Sequence, residues 1–222
     1  MTLRLLLDSA DPAAWADWRA IGLFQGVTTN PTLLQRAGRP CTLAELTALS
    51  HAAFDQGMAE IHLQAWGGDV EALARCAASL AAIAPGRVVV KLPMTRAGVA
   101  AARPLIDAGT PLTFTACYEV AQVLVAAALG VRYIAPYLGR IGDLGRDGHA
   151  ELIAMQRALD GVAATTRLLV ASLRHPSDIT RLAAEGLSCF TLAPPLAAAL
   201  IDSEASAAAV AQFEQDAHAG AL

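Results

Sequence analysis

The sequence predicts an α/β fold, a single (β/α)₈ barrel over residues 1–222 with one extra C-terminal helix at about residues 203–219. Short apolar runs alternate eight times with longer helical patterns, which is typical of parallel β/α architecture. The length of 222 residues suits one domain with a substantial core. No linker or low-complexity segment indicates a second domain.

Each predicted strand is a run of four to six mostly apolar residues. The run Val88–Val90 is continuous and β-branched, which indicates a strand buried on both faces, as in a parallel sheet. The predicted strands are residues 3–7, 26–29, 60–64, 87–91, 112–115, 131–136, 168–171 and 188–192.

The helices are predicted from their start signals. Asp11 and Asn30 each precede a proline, the pattern of an N-cap and first-turn proline, and Thr42 begins a capping box. Pro104 is expected either to kink its helix or to mark the true start of that helix. The predicted helices follow Asp11, Asn30, Thr42 (to residue 55) and Asp69 (to residue 83), occupy 97–107, 118–129 and 203–219, and start near Pro176 and Pro194.

The longest predicted connection is Gly139–Gly148, GRIGDLGRDG, which is rich in glycine and charge. Long connections at the end of a barrel are often functional. We therefore expect this segment to be a loop that acts as a lid over an active site.

Composition and charge exclude several classes of function. The net charge of −4 argues against nucleic acid or an anionic membrane surface as the main partner. No apolar run reaches the length of a membrane span, and the first apolar stretch stops at Asp8 without a cleavage site. Since the cysteines at 41, 76, 117 and 189 lie far apart, we expect reduced thiols in a cytoplasmic protein.

Lys91 is the only lysine among the 16 lysine and arginine residues. Arginine stays protonated, whereas a buried lysine can lose its proton and attack a carbonyl carbon. Desolvation after Val88–Val90 lowers the pKa of the amine below its ordinary value of about 10.4. A lysine that only reaches solvent is the alternative, but its isolation in an arginine-rich chain favours a chemical role.

Polar side chains also end the first seven predicted strands. Because the C-terminal strand ends of a (β/α)₈ barrel form its active site, these residues are expected to share one rim. Each has a structural explanation as well, such as a helix cap for Asp8 or Asn30, but their convergence around one lysine favours a site. The rim residues are Asp8, Thr28, Asn30, Gln64, Lys91, Thr115, Tyr137, Arg140, Ser172 and Arg174.

These residue types support imine chemistry on a ketone. A neutral lysine forms a carbinolamine that must lose water, and Asp8 and Tyr137 are candidates to exchange the protons. Gln64 and Thr115 are candidates to hold a water beside the reacting carbon.

The outer part of this rim is expected to bind a phosphate. Arg140, Ser172 and Arg174 would form an anion pocket together with backbone amides. A barrel that binds sugar phosphates without turnover is the remote alternative.

No metal site is expected. A metal-dependent enzyme is a weak alternative, because the five histidines show no ligand set. His62 is expected to face away from Gln64 if the assumed strand register holds, and its role stays open. Trp66 could line the mouth of the site or pack beneath a loop.

Six segments resemble one known family: LLLDSAD, GVTTNPTLL, VVVKLPMTRAG, APYLGRIGD, VASLRHP and the closing FEQD helix. On these motifs the chain resembles the small transaldolase and fructose-6-phosphate aldolase family over nearly its whole length. GVTTNP and VKLP at this spacing are specific to it. The lysine on strand four, rather than on strand six as in most class I aldolase barrels, is a hallmark of the family.

The resemblance implies a cofactor-free Schiff-base (class I) enzyme in which Lys91 forms the imine and the rim residues surround it. The implied partners are sugar phosphates and dihydroxyacetone, in carbohydrate metabolism and the pentose phosphate pathway. It also implies a homo-oligomer, a pentamer or a decamer, in which the C-terminal helix packs on a neighbour.

Two positions bear on cleavage versus transfer. In the family, transaldolases typically carry glutamate on strand three and phenylalanine on strand six, whereas Gln64 and Tyr137 match the fructose-6-phosphate aldolase pattern. Gly139–Asp143 resembles the transaldolase version of its segment instead. The leading hypothesis is therefore an aldolase that cleaves or forms fructose 6-phosphate from dihydroxyacetone and glyceraldehyde 3-phosphate, with transaldolase as the alternative.

Overall fold

The computed structural model describes residues 2–219 and contains one sheet of eight parallel strands. The strands are β1 (Arg4–Asp8), β2 (Gly26–Thr28), β3 (Glu60–Gln64), β4 (Val88–Pro93), β5 (Leu112–Cys117), β6 (Tyr133–Pro136), β7 (Arg167–Leu168) and β8 (Cys189–Leu192). Their order is β7-β6-β5-β4-β3-β2-β1-β8. The two edges join where Val170 N donates to Cys189 O, and Thr191 N to Val170 O, each at 2.9 Å. The predicted (β/α)₈ barrel is confirmed.

Helices connect the strands on the outside of the barrel. Their N-caps form as predicted, since the side-chain oxygens of Asp11, Asn30 and Thr42 accept hydrogen bonds from backbone amides of the first turn. The capping box predicted at Thr42 is only half formed, because the Glu45 carboxylate binds Arg39 and Thr42 N donates to Pro40 O. The helices are α1 (Pro12–Arg19), α2 (Pro31–Arg36), α3 (Leu43–Asp55), α4 (Val70–Ala81), α5 (Arg96–Asp107), α6 (Gln122–Leu129), α7 (Leu138–Asp143), α8 (Gly148–Gly161), α9 (Pro176–Ala184), α10 (Pro194–Ala198) and α11 (Glu204–Ala219).

The segment predicted as a lid loop is mostly helical. Residues 138–143 form α7, and α8 begins at Gly148. Leu138 and Ile141 are buried one turn apart and fix α7 to the core. A Cβ at Gly139 would lie 2.6 Å from the carbonyl oxygen of Ser172, so this glycine permits a close contact. The loop prediction is wrong because it rests on a composition rich in glycine and charge, whereas burial of Leu138 and Ile141 makes residues 138–143 helical.

Pro104 lies inside α5 and does not mark its start. The helix runs from Arg96 to Asp107, and Thr95 caps its N-terminus. The buried residues Ala101, Ala102 and Leu105 lie on both sides of the proline. Packing of this face against the neighbouring elements keeps the helix continuous despite the backbone donor that proline removes.

The strand pleat divides the apolar residues between two cores. The larger core lies between the sheet and the helices, and a small one fills the barrel interior. Alternate residues of a strand share a face, so the positions two residues beyond the interior core also point inward, at the C-terminal end. The interior core contains Leu6, Val89, Tyr133, Ala135, Leu169 and Cys189, and the positions beyond it include Asp8, Lys91, Tyr137 and Thr191.

The N-terminal end of the barrel interior is polar, and Glu60 is its centre. The Glu60 side chain is 4% exposed and lies 3.2 Å from Arg4, 3.0 Å from Arg132 and 3.1 Å from His62. Tyr133 OH donates to Glu60 Oε1 at 2.9 Å. Burial opposes ionisation, but the hydrogen bond from His62 and the nearby cations outweigh it and lower the pKa of Glu60 to about 2. The negative charge of Glu60 is therefore balanced by nearby cations and hydrogen bonds.

The C-terminal helix α11 has the predicted extent and is not packed against the barrel. All its described side chains are exposed, including Phe213 at 68%. Within residues 2–219, no helix is both long and apolar enough to cross a membrane.

Candidate active site

A cavity of about 190 Å³ opens at the C-terminal strand ends. Its position is that of active sites in (β/α)₈ barrels. Residues from six of the strand ends and from two flanking helices meet there. Its polar lining contains Asp8, Thr28, Asn30, Thr32, Arg36, Lys91, Tyr137, Arg140, Ser172 and Thr191.

Lys91 lies at the inner wall of this cavity with 6% of its surface exposed. Its Nζ donates to the carbonyl oxygen of Thr29 at 2.9 Å. Burial lowers the pKa of the amine, the carboxylate of Asp8 opposes this shift, and Arg140 adds to it. The neutral amine, which is the nucleophilic form, is thus favoured relative to a solvent-exposed lysine.

Asp8 faces Lys91 from β1 and is held by a chain of hydroxyl groups. Thr28 Oγ1 donates to Asp8 Oδ1 at 2.6 Å, and Thr28 Oγ1 also lies 2.6 Å from Thr191 Oγ1. Because the single hydroxyl hydrogen of Thr28 goes to Asp8, Thr191 must donate to Thr28. Burial raises the pKa of Asp8, while Lys91 and the Thr28 hydrogen bond oppose the shift. Asp8 is therefore suited to hold and release a proton.

Tyr137 brings a second hydroxyl group to the site. Its OH lies 2.6 Å from Thr115 Oγ1, and its ring packs edge-on against Tyr118 with centroids 5.7 Å apart. Gln64 is the strand neighbour of Lys91, and its Nε2 donates to the carbonyl oxygens of Ala65 at 3.2 Å and Lys91 at 3.3 Å. Gln64 and Thr115 therefore support the residues of the cavity wall from behind.

The two arginines predicted for phosphate binding have different surroundings. Arg140 lines the cavity with its guanidinium 4.7 Å from the ring centre of Tyr137. The hydroxyl of Tyr118 raises the pKa of Arg140. Arg174 is directed to Asp143 of α7, at 2.6 Å, and its side chain is 53% exposed. The structure thus places Arg140 in the cavity and pairs Arg174 outside it.

Ser172 lines the cavity with a strained backbone. Its φ is 59°, in the left-handed region that residues other than glycine rarely adopt. Ala116, at the end of β5, has a similar φ of 55°. Strain of this kind concentrates at functional sites. The carbonyl oxygen of Ser172 accepts from Gly139 N at 2.9 Å, which fixes the turn.

Sequence reasoning missed Arg36, Thr32 and Thr191. Thr191 follows Cys189 by two residues on the inward face of β8, so a strand-end search extended to the eighth strand would have found it. Thr32 and Arg36 lie four residues apart on α2, on one helical face. The cap at Asn30 predicts this helix, but it does not predict that this face lines the cavity.

Two residues with open roles lie outside the cavity. His62 points into the barrel beneath it, on the same face as Gln64, so the expectation that they face apart is wrong. His62 Nδ1 lies 3.0 Å from Thr113 Oγ1. Trp66 lies at a separate depression with Leu43 and Cys76, whose sulfur accepts from Trp66 N at 3.4 Å.

Within residues 2–219, no group of three or more histidine, cysteine, aspartate or glutamate side chains could together hold a metal ion. The chemical groups that this cavity presents are an amine, a carboxyl group, hydroxyl groups and guanidinium groups. Such a set can form and resolve an imine and can bind an anion.

Sequence comparison gives one family and several relatives. The family model described as "Transaldolase/Fructose-6-phosphate aldolase" matches residues 5–221. A protein of Rhodospirillum centenum named "Probable transaldolase" is 34% identical over 215 residues, covering 96% of this chain and 90% of the relative. A protein of Phenylobacterium zucineum with the same name is 34% identical over 217 residues, covering 96% of both chains.

Structural comparison supports the barrel alone. Thiamine phosphate pyrophosphorylase from Pyrococcus furiosus superposes with a TM-score of 0.55 at 10% identity, covering 86% of this chain and 85% of the other. The flavin-binding domain of baker's yeast flavocytochrome b2 gives a TM-score of 0.55 at 13% identity. That match covers 87% of this chain and 57% of the flavocytochrome chain. At such identities the likeness concerns the fold.

Proposed function

The chain belongs to the transaldolase/fructose-6-phosphate aldolase family, and we propose that it transfers a dihydroxyacetone unit between sugar phosphates through an imine on Lys91. It is an enzyme of the class I aldolase/transaldolase type, so the alternative of a barrel without turnover falls away. The observation that carries the proposal is the buried Lys91 amine in a cavity with Asp8, where burial favours the neutral form of both groups.

We propose transfer of the dihydroxyacetone unit in preference to the cleavage reaction that the sequence motifs favour. Relatives that are 34% identical over 96% of the chain are named probable transaldolases. Gln64 and Tyr137 match the aldolase pattern, but they are only two positions, whereas the similarity to the probable transaldolases extends over 96% of the chain.

The first step is imine formation. The neutral Lys91 Nζ attacks the C2 carbonyl of a ketose such as fructose 6-phosphate, and the carbonyl oxygen takes a proton to give a carbinolamine. Asp8, whose pKa burial raises, supplies the proton that lets this hydroxyl leave as water. The product is a protonated imine, and water is released.

The second step breaks the C3–C4 bond of the ketose. Its electron pair moves into the protonated imine and forms an enamine, while the C4 hydroxyl gives its proton to the Asp8 carboxylate. Glyceraldehyde 3-phosphate leaves as the aldehyde. The enamine then attacks an acceptor aldehyde by the reverse of these events, and water hydrolyses the new imine to regenerate Lys91.

A second candidate function is net cleavage to free dihydroxyacetone. The observation that favours it is the Tyr137 hydroxyl at the cavity, 2.6 Å from Thr115 Oγ1. A phenol placed there, positioned by the Thr115 hydroxyl, can protonate the enamine carbon. Hydrolysis of the resulting imine would then release dihydroxyacetone without an acceptor.

The phosphate end of the substrate would lie at the outer part of the cavity. Arg140, Asn30 and Ser172 line it, and a guanidinium binds phosphate through charge-assisted hydrogen bonds. Arg174 would join them only by exchanging its bond to Asp143 for one to the phosphate. We propose Thr28 as the residue that orients Asp8.

The test combines covalent trapping with acceptor dependence. Borohydride reduction with fructose 6-phosphate should leave an adduct on the peptide that contains Lys91. With erythrose 4-phosphate present, a transaldolase forms a seven-carbon ketose phosphate, and little glyceraldehyde 3-phosphate appears without the acceptor. Equal release without acceptor would support cleavage, and no adduct with any ketose would reject the imine mechanism.

We also propose that the protein works as a homo-oligomer, a pentamer or a decamer, in the cytoplasm and in the pentose phosphate pathway. The exposed face of α11, with Val210 and Phe213, supports assembly. The four cysteines are free thiols, which suits a reducing compartment. Light scattering of the wild-type protein and of Phe213→Asp tests the assembly.

A further inference from the structure

We propose that Arg36 of α2 is a specificity-determining residue of the cavity, a cation that binds the substrate phosphate from the wall opposite Arg140. This inference rests on the proposed function, since it assigns the phosphate of that substrate to a second arginine. Both arginines line the same cavity as Lys91.

The topology places the two guanidinium groups on opposite sides. Arg36 belongs to the helix that follows β2, and Arg140 to the helix that follows β6. These strands lie four positions apart in the eight-stranded order, so in a closed ring they face each other across the barrel. An anion in the mouth of the cavity therefore lies between two positive charges.

The charge of Arg36 acts on the cavity. Arg36 and Arg140, together with Lys91, each oppose the burial-driven rise in the pKa of Asp8. Within residues 2–219, no carboxylate forms an ion pair with either of the two arginines, whereas Arg174 is paired with Asp143 and Arg39 with Glu45 at 2.5 Å. The cations that stay available to a ligand at this mouth are thus Arg36 and Arg140.

The helix that carries Arg36 is well anchored. Asn30 Oδ1 accepts from Leu33 N at 3.0 Å, and Leu34 is buried in the core. Thr32 precedes Arg36 by four residues and lines the same cavity, so its hydroxyl can donate beside the guanidinium. Anchoring the helix reduces the ordering that phosphate binding requires.

The test uses Arg36→Gln with Arg19→Gln as a matched control. Arg19 is also an exposed arginine that ends a helix with proline in its first turn, and it does not belong to the cavity lining. Arg36→Gln should raise the KM for fructose 6-phosphate by about tenfold and change the KM for fructose less than about twofold. Arg19→Gln should leave both values unchanged, and Arg36→Lys should recover part of the loss.

A binding measurement separates this inference from the proposed reaction. Inorganic phosphate is titrated into each protein by calorimetry, which needs no turnover. About tenfold weaker phosphate binding by Arg36→Gln supports the inference even if no transfer activity is found. Unchanged phosphate affinity, or an equal rise in KM for fructose and fructose 6-phosphate, would overturn it while leaving the imine mechanism intact.

Discussion

The two ends of the barrel interior hold buried charge in opposite ways. At the N-terminal end, Glu60 is surrounded by Arg4, Arg132, Tyr133 and His62, and its pKa falls to about 2. At the C-terminal end, burial pushes the pKa values of Lys91 and Asp8 in opposite directions, each toward the neutral form.

The difference shows what determines reactivity in this barrel. A buried acid with four polar partners remains charged, and removing it alone would leave its partner cations uncompensated. A buried amine that donates a hydrogen bond to a backbone carbonyl, with a carboxyl group nearby, loses its proton more readily than an exposed lysine. The number and charge of the polar partners, more than the depth of burial, decide whether a buried ionisable group stays charged or can change its protonation state.

Replacing the amine should have the largest effect. Lys91→Arg keeps a cation but removes the nucleophile, because arginine does not lose its proton. We expect carbon–carbon transfer to fall by about three orders of magnitude or more. Steady-state rates and borohydride trapping measure it, and a folded Lys91→Arg protein with normal turnover would refute the role of Lys91.

Removing the Glu60 carboxylate at the N-terminal end of the barrel interior should lower the stability of the protein. Glu60→Gln leaves Arg4 and Arg132 without a carboxylate, which we expect to lower the free energy of unfolding by about 3 kcal/mol. Urea denaturation measures it, and Glu71→Gln, in an exposed pair with Arg75, is the control with an expected change near zero. Equal effects of the two changes would contradict the comparison.

The same acid should make stability depend on pH. Its pKa is about 2 in the folded protein against an ordinary 4.5, so its contribution is fully present above pH 4.5 and is lost as the pH falls toward 2. Wild-type protein should lose about 3 kcal/mol over this window that Glu60→Gln does not lose. If the free energy of unfolding changed with pH equally in the wild-type protein and in Glu60→Gln, the proposed pH dependence would be ruled out.

Removing the carboxylate beside the lysine should change both rate and pH profile. Asp8→Asn deletes a proton carrier, for which we expect a loss of about 100-fold in turnover. Asp8 raises the pKa of Lys91 and Arg140 lowers it, so without Asp8 the pKa of the amine falls further. The rise of kcat/KM with pH should move to lower pH, and a shift to higher pH would contradict this charge coupling.

The smallest expected effects concern the Tyr137 hydroxyl and its partner Thr115, and Tyr137→Phe is the larger of the two. Loss of the hydroxyl removes the group that would protonate the enamine, so the ratio of transfer to free dihydroxyacetone release should rise by roughly threefold to tenfold. Product analysis with and without erythrose 4-phosphate measures this ratio. Thr115→Val, which removes the partner hydroxyl, should act in the same direction but more weakly.

The sequence predicted the barrel and the inward-facing positions of Asp8 and Lys91 because both depend on local signals. Period-two strands place Asp8 and Lys91 on the inward face, and chain order along a parallel barrel puts strand ends together. The outer site was less predictable. The pairing of Arg174 with Asp143 is a side-chain choice between distant segments, and the helical form of α7 depends on burial of Leu138 and Ile141.

The chain of hydroxyl groups from Thr191 through Thr28 to Asp8 has a consequence for synthesis on the ribosome. Thr28 and Thr191 are 163 residues apart, an interval that takes roughly 10–30 s to translate. A nascent chain contains β1 and β2 early, yet the Asp8 carboxyl group lacks its complete hydrogen-bonded support until β8 emerges. The support of this carboxyl group is therefore completed late, when the last strand closes the ring.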